Sequence, residues 1–349
     1  LKIAQIAPLA ESVPPRLYGG TERVVSWLTE ELVEQGHDVT LFASGDSCTA
    51  AELVSVTPRA LRLDPGIRDC TPYNYILLDH IFRRADEFDV LHFHIDMIHY
   101  PLFRALADRV ITTLHGRLDL PDLLPFYRAF PTMPLVSISA AQRKPMPPVN
   151  WLATIPHGMP RQLHRLGRGE GGYLAFLGRI TPEKGPEAAI AIAKRTGIPL
   201  KIAAKVDPVD RDYFRDVVRP LLDHPLIEYI DEINEAQKTD FLGNALALLF
   251  PIAWPEPFGL VMIEAMACGT PVIAFRAGSV PEVIEENVTG LVVDDIAEAT
   301  AAVEKVARFD RARIRARFEQ RFTVDRMARA YTALYARAAE SRATASEAA

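Results

Sequence analysis

The sequence has 349 residues, more than one ordinary domain holds and enough for two of about 150–170 residues. A hydrophobic content of 49% with 24% charge is that of a soluble globular protein, and no apolar run is long enough to span a membrane. The net charge of −6 works against nucleic acid as the main partner, because phosphate binding needs a basic face, although a local cluster of cations could still hold a diphosphate. Cys48, Cys70 and Cys268 show no metal-ligand spacing and leave one unpaired, which fits a reducing cytoplasm.

The start reads as a strand over Lys2–Leu9 and not as a signal peptide, since it lacks an apolar core and a small-residue cleavage site. A loop with Pro14, Pro15, Gly19 and Gly20 follows. Thr21 is the predicted N-cap of a helix whose Val24, Leu28 and Leu32 share one face, and Gly36 stops it. Strands are predicted at 38–43, 90–94, 110–114 and 135–139. A second series runs through 173–178, 200–204, 226–230, 246–250, 272–275 and 290–293.

Strands alternating with amphipathic helices imply parallel α/β sheets, here in two domains, 1–155 and 156–322, with a cleft between the C-terminal ends of their strands. The polar, glycine-rich stretch 161–172 lies just past the predicted linker. The segment from Arg311 to about Ala339 is arginine-rich and helical in composition. It reads as a pair of surface helices or as a basic face touching anionic lipid, a peripheral membrane contact that Asp310, Glu319 and Asp325 dilute. The small, polar tail from Ser341 to Ala349 is predicted to be disordered.

Chemistry concentrates in Trp254-Pro-Glu-Pro-Phe-Gly-Leu-Val-Met-Ile-Glu264-Ala-Met-Ala-Cys-Gly-Thr-Pro271. Glu256 falls in a proline-flanked loop after a buried strand, and Glu264 in the apolar helix that follows. Phe258, Gly259 and Leu260 open that helix, where free backbone N–H groups favour anionic or hydroxyl-rich ligands. Cys268 reads as a small buried residue. A second group, Phe176-Leu-Gly-Arg179-Ile-Thr-Pro-Glu-Lys184-Gly185, places two cations after a strand end at Gly178. An Arg and a Lys flanking a turn can simply face solvent. Together they could also hold a diphosphate without a metal, Arg in bidentate geometry and Lys as a point charge.

Two features belong to the first domain. Tyr18-Gly19-Gly20-Thr21-Glu22 offers backbone N–H groups to an anion or is a tight turn, and it is not the dinucleotide fingerprint. The histidine group comprises His92, His94, Asp96, His99, His115 and Arg117. His92, His94 and Asp96 share one face of a regular strand, either as metal ligands or as a hydrogen-bonded wall.

The Glu256–Glu264 string, with Gly278-Ser-Val-Pro-Glu282 after it, resembles the Glu-x7-Glu signature of retaining nucleotide-sugar glycosyltransferases, in particular glycosyltransferase family 4 with its GT-B fold of two Rossmann-like domains. The likeness covers essentially the whole chain and is strongest over Tyr173–Val293. It implies that Arg179 and Lys184 bind donor phosphates and that Glu256, with the Phe258 and Gly259 amides, binds sugar hydroxyls. Glu264 would clasp the ribose hydroxyls, with Gly178 and Leu260 also at the donor. Gly19 and Gly20 would lie against diphosphate or acceptor, and the His115 carbonyl near the anomeric carbon. His94, Asp96, Arg117 and His157 would face the acceptor. His157 stands where the family usually has Asn. The resemblance also implies a last helix, about 323–340, crossing back onto the first domain.

The expected reaction is metal-independent hexose transfer, with UDP-glucose the first choice of donor and uracil read by backbone near Tyr229–Ile233. The acceptor is a small molecule or glycan hydroxyl. The nucleotide sugar is a co-substrate, so no cofactor and no metal are expected. The alternatives are a nucleotide-sugar sensor without turnover and a GT-B epimerase acting on the same bond.

Overall fold

A computed structural model of the chain describes residues 1–17 and 19–347, so Tyr18 of the glycine loop lies outside the described residues. The chain forms two compact units: Leu1–Pro160 together with the helix that begins at Val324, and Arg161–Thr323. The boundary falls at 160/161, five residues beyond the 155/156 read from the sequence.

The first unit is built on seven parallel strands: β1 (Lys2–Ile6), β2 (Asp38–Phe42), β3 (Glu52–Val54), β4 (Val90–Phe93), β5 (Val110–Thr113), β6 (Leu135–Ser137) and β7 (Trp151–Thr154), in the order β3-β2-β1-β4-β5-β6-β7. The second has six: β8 (Leu174–Arg179), β9 (Leu200–Lys205), β10 (Ile227–Tyr229), β11 (Ala247–Phe250), β12 (Val272–Phe275) and β13 (Gly290–Val293), in the order β10-β9-β8-β11-β12-β13. Both orders are doubly wound. The first strand of each unit lies beside its fourth, and the chain winds outward from that point in both directions.

The central strands are buried along their length and read as continuous apolar runs, because helices cover both faces of a parallel sheet. The two strands missing from the sequence reading, β3 and β7, are short edge strands left half-exposed. They lack the buried run that betrays an inner strand. Thr21 is not the helix cap. Gly19 takes that position and the helix starts at Gly20, with no side-chain cap.

Between β8 and β11 the ladder pairs only Leu174 and Ala175 with Ala247 and Leu248. Beyond those pairs β8 runs on to Arg179 and β11 to Phe250, so the loops leaving both strands meet over an open crevice. In the first unit the helix Val324–Glu347 packs on the helix Gly20–Glu34 and on β4, burying Met327, Tyr331 and Tyr335. This helix continues through Glu347, so 341–347 are helical where disorder is predicted, while Ala348 and Ala349 lie outside the described residues. No helix among the described residues is long and apolar enough to cross a membrane.

Three arginines of the arginine-rich segment bond to backbone carbonyls of the second unit. From the helix Arg311–Arg321, Arg311 donates to the carbonyls of Gly167, Ala245 and Gly243 and to the Thr270 hydroxyl. Arg315 donates to the carbonyls of His164, Ala267 and Arg161, and Arg321 to those of Val283 and Glu282. These bonds tie Arg161, His164 and Gly167, in the stretch after the boundary, to the unit's body. Arg311→Ala should lower unfolding stability by about 2–4 kcal/mol, because the Gly167, Gly243 and Ala245 carbonyls and the Thr270 hydroxyl each lose a donor at once. Arg311→Lys should recover less than half of that, since an ammonium cannot reproduce the planar fork. Urea unfolding of the three proteins measures both.

Candidate active site

In the second unit β8 ends on Gly178 and Arg179 and the loop after it carries Lys184, while the loop after β11 carries Trp254, Glu256, Phe258 and Gly259. A backbone bond ties the loops, Ala253 N–H donating to the Glu183 carbonyl at 2.8 Å. Across them the Lys184 ammonium pairs with the Glu256 carboxylate. Trp254 Nε1 donates to the same carboxylate at 3.0 Å, and the ammonium lies 5.2 Å from the Trp254 ring centroid and 5.8 Å from that of Phe250. Lys184 occupies a single 3-10 turn, Pro182–Lys184, ahead of the helix Pro186–Thr196. Gly185 joins the two at φ 67, and a Cβ there would meet the Pro251 carbonyl oxygen at 2.2 Å.

Arg179 points to Asp207, 3.4 Å away, which also takes Lys205 at 3.0 Å. Burial pulls the Asp207 carboxyl up, but the bonds and charges of Lys205 and Arg179 outweigh it and hold the group below its ordinary range. Two cations therefore converge on one carboxylate at the ends of β8 and β9. Neither Lys205 nor Asp207 was singled out from the sequence.

The helix Leu260–Ala267 begins at Gly259, directly after the loop that carries Glu256. Phe258 is buried, its carbonyl accepting from Ser279 Oγ at 2.8 Å. Gly278 sits at φ 53 against the Glu256 backbone, where a Cβ would fall 2.2 Å from the Glu256 carbonyl oxygen. Glu264 is buried and accepts from Lys238 Nζ at 2.7 Å. Lys238 also contacts Glu235 at 3.2 Å, which in turn lies 3.2 Å from His164 Nε2. His164, Glu235 and Glu264 thus have the spacing of a metal site, but the Lys238 ammonium holds both carboxylates. Cys268 is buried, and burial pushes its thiol up to about 12, out of range for a nucleophile.

The first unit gathers its histidines where β1, β4 and β5 end. His92 is wholly buried, with Tyr335 Oη at 2.7 Å on Nδ1 and Thr113 Oγ1 at 2.8 Å on Nε2. His94 contacts Gln5 Oε1 at 2.8 Å and His115 Nε2 at 2.8 Å. His157 stacks on His115 with ring centroids 5.1 Å apart. His99 binds Thr112 in the core. Burial holds His92, His94 and His157 well below the ordinary histidine value and brings His115 down to about 3. The group is a neutral hydrogen-bonded wall. Asp96 leaves the strand face, because β4 ends at Phe93 and Asp96 turns at φ 53.

His94, Asp96 and His115 line a pocket of about 340 Å³ together with Thr21 and Asn74. Arg117 is held by Asp119 through two bonds, at 2.7 and 2.9 Å, and is not among the lining residues. Gly20 opens the helix beside this pocket, but the buried Glu22 already puts a carboxyl in the helix's first turn. That weakens the case for an anion at Gly19–Gly20.

Comparison with known proteins agrees with this division. Residues 18–153 match the family model described as Glycosyltransferase Family 4, and residues 164–321 the one described as Glycosyl transferases group 1. A D-inositol 3-phosphate glycosyltransferase of Saccharomonospora viridis is 34% identical over 146 residues, 37% of this chain and 34% of that protein. The chain spans about a third of the length of the first such curated relatives. Sucrose-phosphate synthase from Thermosynechococcus elongatus superposes with a TM-score of 0.76 at 19% identity, covering 96% of this chain and 98% of that one. Anabaena HepE in complex with UDP and glucose gives 0.72 at 16% identity, covering 96% and 99%. The two units have the GT-B fold, and each matches a glycosyltransferase domain model.

Within this GT-B chain, the groups the sequence reading passed over are partners of groups it named: Lys238 for Glu264, Asp207 for Arg179, Gln5 for His94. Each lies 26 or more positions away from its partner, so no local pattern marks it.

Two outcomes follow from this geometry. Gly278→Ala should displace the Glu256 loop and cost about 2–4 kcal/mol, because the new methyl meets backbone at a positive φ; thermal and urea unfolding report it. The buried histidines make stability fall with acid. Their folded values are depressed, so below about pH 6.5 the unfolded chain binds protons that the folded chain refuses. Between pH 7 and 5 the unfolding free energy should drop by about 2 kcal/mol or more. A flat profile over that range would show that the wall is protonated without cost.

Proposed function

We propose that this chain is a retaining, metal-independent glycosyltransferase that moves a hexose from a nucleotide diphosphate sugar to an acceptor hydroxyl. The observation that carries the reading is the Lys184–Glu256 pair at the crevice between β8 and β11, with Arg179 at the end of β8, five residues before Lys184. A donor diphosphate entering there exchanges the Glu256 carboxylate on Lys184 for a phosphate oxygen. Glu256 is then released to accept bonds from the sugar hydroxyls. Arg179 and Lys184 neutralise the charge that grows on the leaving phosphate.

The ribose diol donates to Glu264, whose orientation Lys238 maintains. The bond from the anomeric carbon to the diphosphate oxygen breaks while the acceptor oxygen bonds to that carbon on the same face. The leaving phosphate takes the acceptor proton. A double displacement would need a carboxylate nucleophile at the anomeric carbon, and neither Glu256 nor Glu264, each paired with a lysine, suits that role. Those lysines also supply positive charge where a metal ion would otherwise serve. UDP-glucose as donor rests on the sequence resemblance and on the same fold holding UDP and glucose in Anabaena HepE.

Nucleotide release from a panel of UDP-, GDP- and ADP-sugars, with EDTA or with Mg²⁺, tests the reading. One donor should be turned over with EDTA present. Lys184→Ala and Glu256→Ala should each lower kcat/KM by about tenfold or more while the protein stays folded. Wild-type rates in both variants would remove the assignment, and an inverted anomeric configuration by NMR would remove the retaining course.

A further inference from the structure

The pocket of the first unit differs in charge from the crevice of the second. Its size, about 340 Å³, is that of a small-ligand site. Leu9, Ile95 and Ile98 supply apolar wall, and Thr21, Asn74 and Asp96 supply polar groups. Among the described residues that line it there is no Lys or Arg, and Asp96 carries the single formal charge. His94 and His115 add none at neutral pH, because their rings are engaged with Gln5 and with each other and burial keeps them neutral. Arg62, next to the lining residue Leu61, pairs with the buried Glu11 at 3.1 Å.

We infer that this pocket binds the acceptor and selects one without phosphate or carboxylate: a polyhydroxy compound with an apolar face, one hydroxyl of which donates to Asp96. This rests on the transferase reading given above. A phosphorylated acceptor entering the pocket would lose its hydration, meet the Asp96 carboxylate and find no cation among the lining side chains. A neutral polyol satisfies Asp96, Asn74 and Thr21 as donor and acceptor while its C–H face lies on the leucine and isoleucine side chains. The inferred acceptor therefore differs in charge class from the phosphorylated inositol in the name of the curated relatives.

Cys70 lines the same pocket and is exposed, so its thiol reports occupancy without any turnover. Cys48 is the other exposed thiol and Cys268 is buried, so a Cys48→Ser chain presents one reactive cysteine. The experiment follows maleimide labelling of Cys70 in that chain, and in parallel nucleotide release. The ligands are matched pairs: glucose with glucose 6-phosphate, inositol with inositol 3-phosphate, and phenyl glucoside with phenyl glucuronide.

The neutral member of at least one pair should slow labelling at a concentration about tenfold or more below that required of its anionic partner. Asp96→Asn should weaken that protection about tenfold, each protein's protection being read against its own labelling rate without ligand. Equal or better protection by the anionic members overturns the inference, and so does protection by none. Protection by neutral members with no nucleotide release from any donor supports the pocket's selectivity and counts against the transferase reading. Release stimulated by a phosphorylated acceptor that leaves Cys70 unprotected does the reverse.

Discussion

The chemistry of the second unit depends on β8 lying beside β11 in a parallel sheet. Parallel neighbours cannot be joined by a hairpin, so each strand must hand its chain to a loop and a helix at the same edge. The ladder between these two strands stops after two residue pairs, and the loops beyond it are free to face one another. Residues 72 positions apart, Lys184 and Glu256, form an ion pair for this reason alone. Backbone contacts hold the loops in place: the Ala253 to Glu183 bond, Gly185 against Pro251, and Gly278 against Glu256.

The two units solve the problem of buried polarity in opposite ways. In the second, Glu256 and Glu264 are each matched with a lysine, an arrangement that can exchange with an anionic ligand. Breaking such a pair without replacing the partner is costly, so any anion that binds Lys184 would have to arrive as Glu256 leaves. In the first, the buried histidines are kept neutral. His92, His94, His115 and His157 form a wall with Gln5, Thr113, Tyr331 and Tyr335, in which hydrogen bonds replace charge. A crevice rich in paired charge and a pocket bounded by neutral rings suit different ligands.

The arginine-rich helix makes contacts that composition does not reveal. As a string, Arg311, Arg313, Arg315, Arg317 and Arg321 read as a basic surface. In the fold Arg311, Arg315 and Arg321 reach backbone carbonyls, and Arg317 reaches Glu285 and Gln320. Guanidinium is suited to this role, since one planar group can satisfy several carbonyls that a loop-rich seam leaves without donors. Arg311 and Arg315 thereby anchor 161–172.

The sequence by itself determined the α/β class, the inner strands to within a residue or two at most ends, and the residue types at the crevice. Buried parallel strands are continuous apolar runs, and glycines and prolines mark where they end. It did not reveal the edge strands β3 and β7, which are half-exposed and carry no such run, nor the cap at Gly19, where backbone geometry and not a side chain starts the helix. Only the tertiary structure decided the partners. That Glu264 meets Lys238, that Glu256 meets Lys184, that Asp96 turns out of the histidine face, and that His157 stacks on His115 are all contacts across long sequence separations or departures from strand regularity. Local propensity carries no information about them, because they arise when crossover connections bring strand ends together.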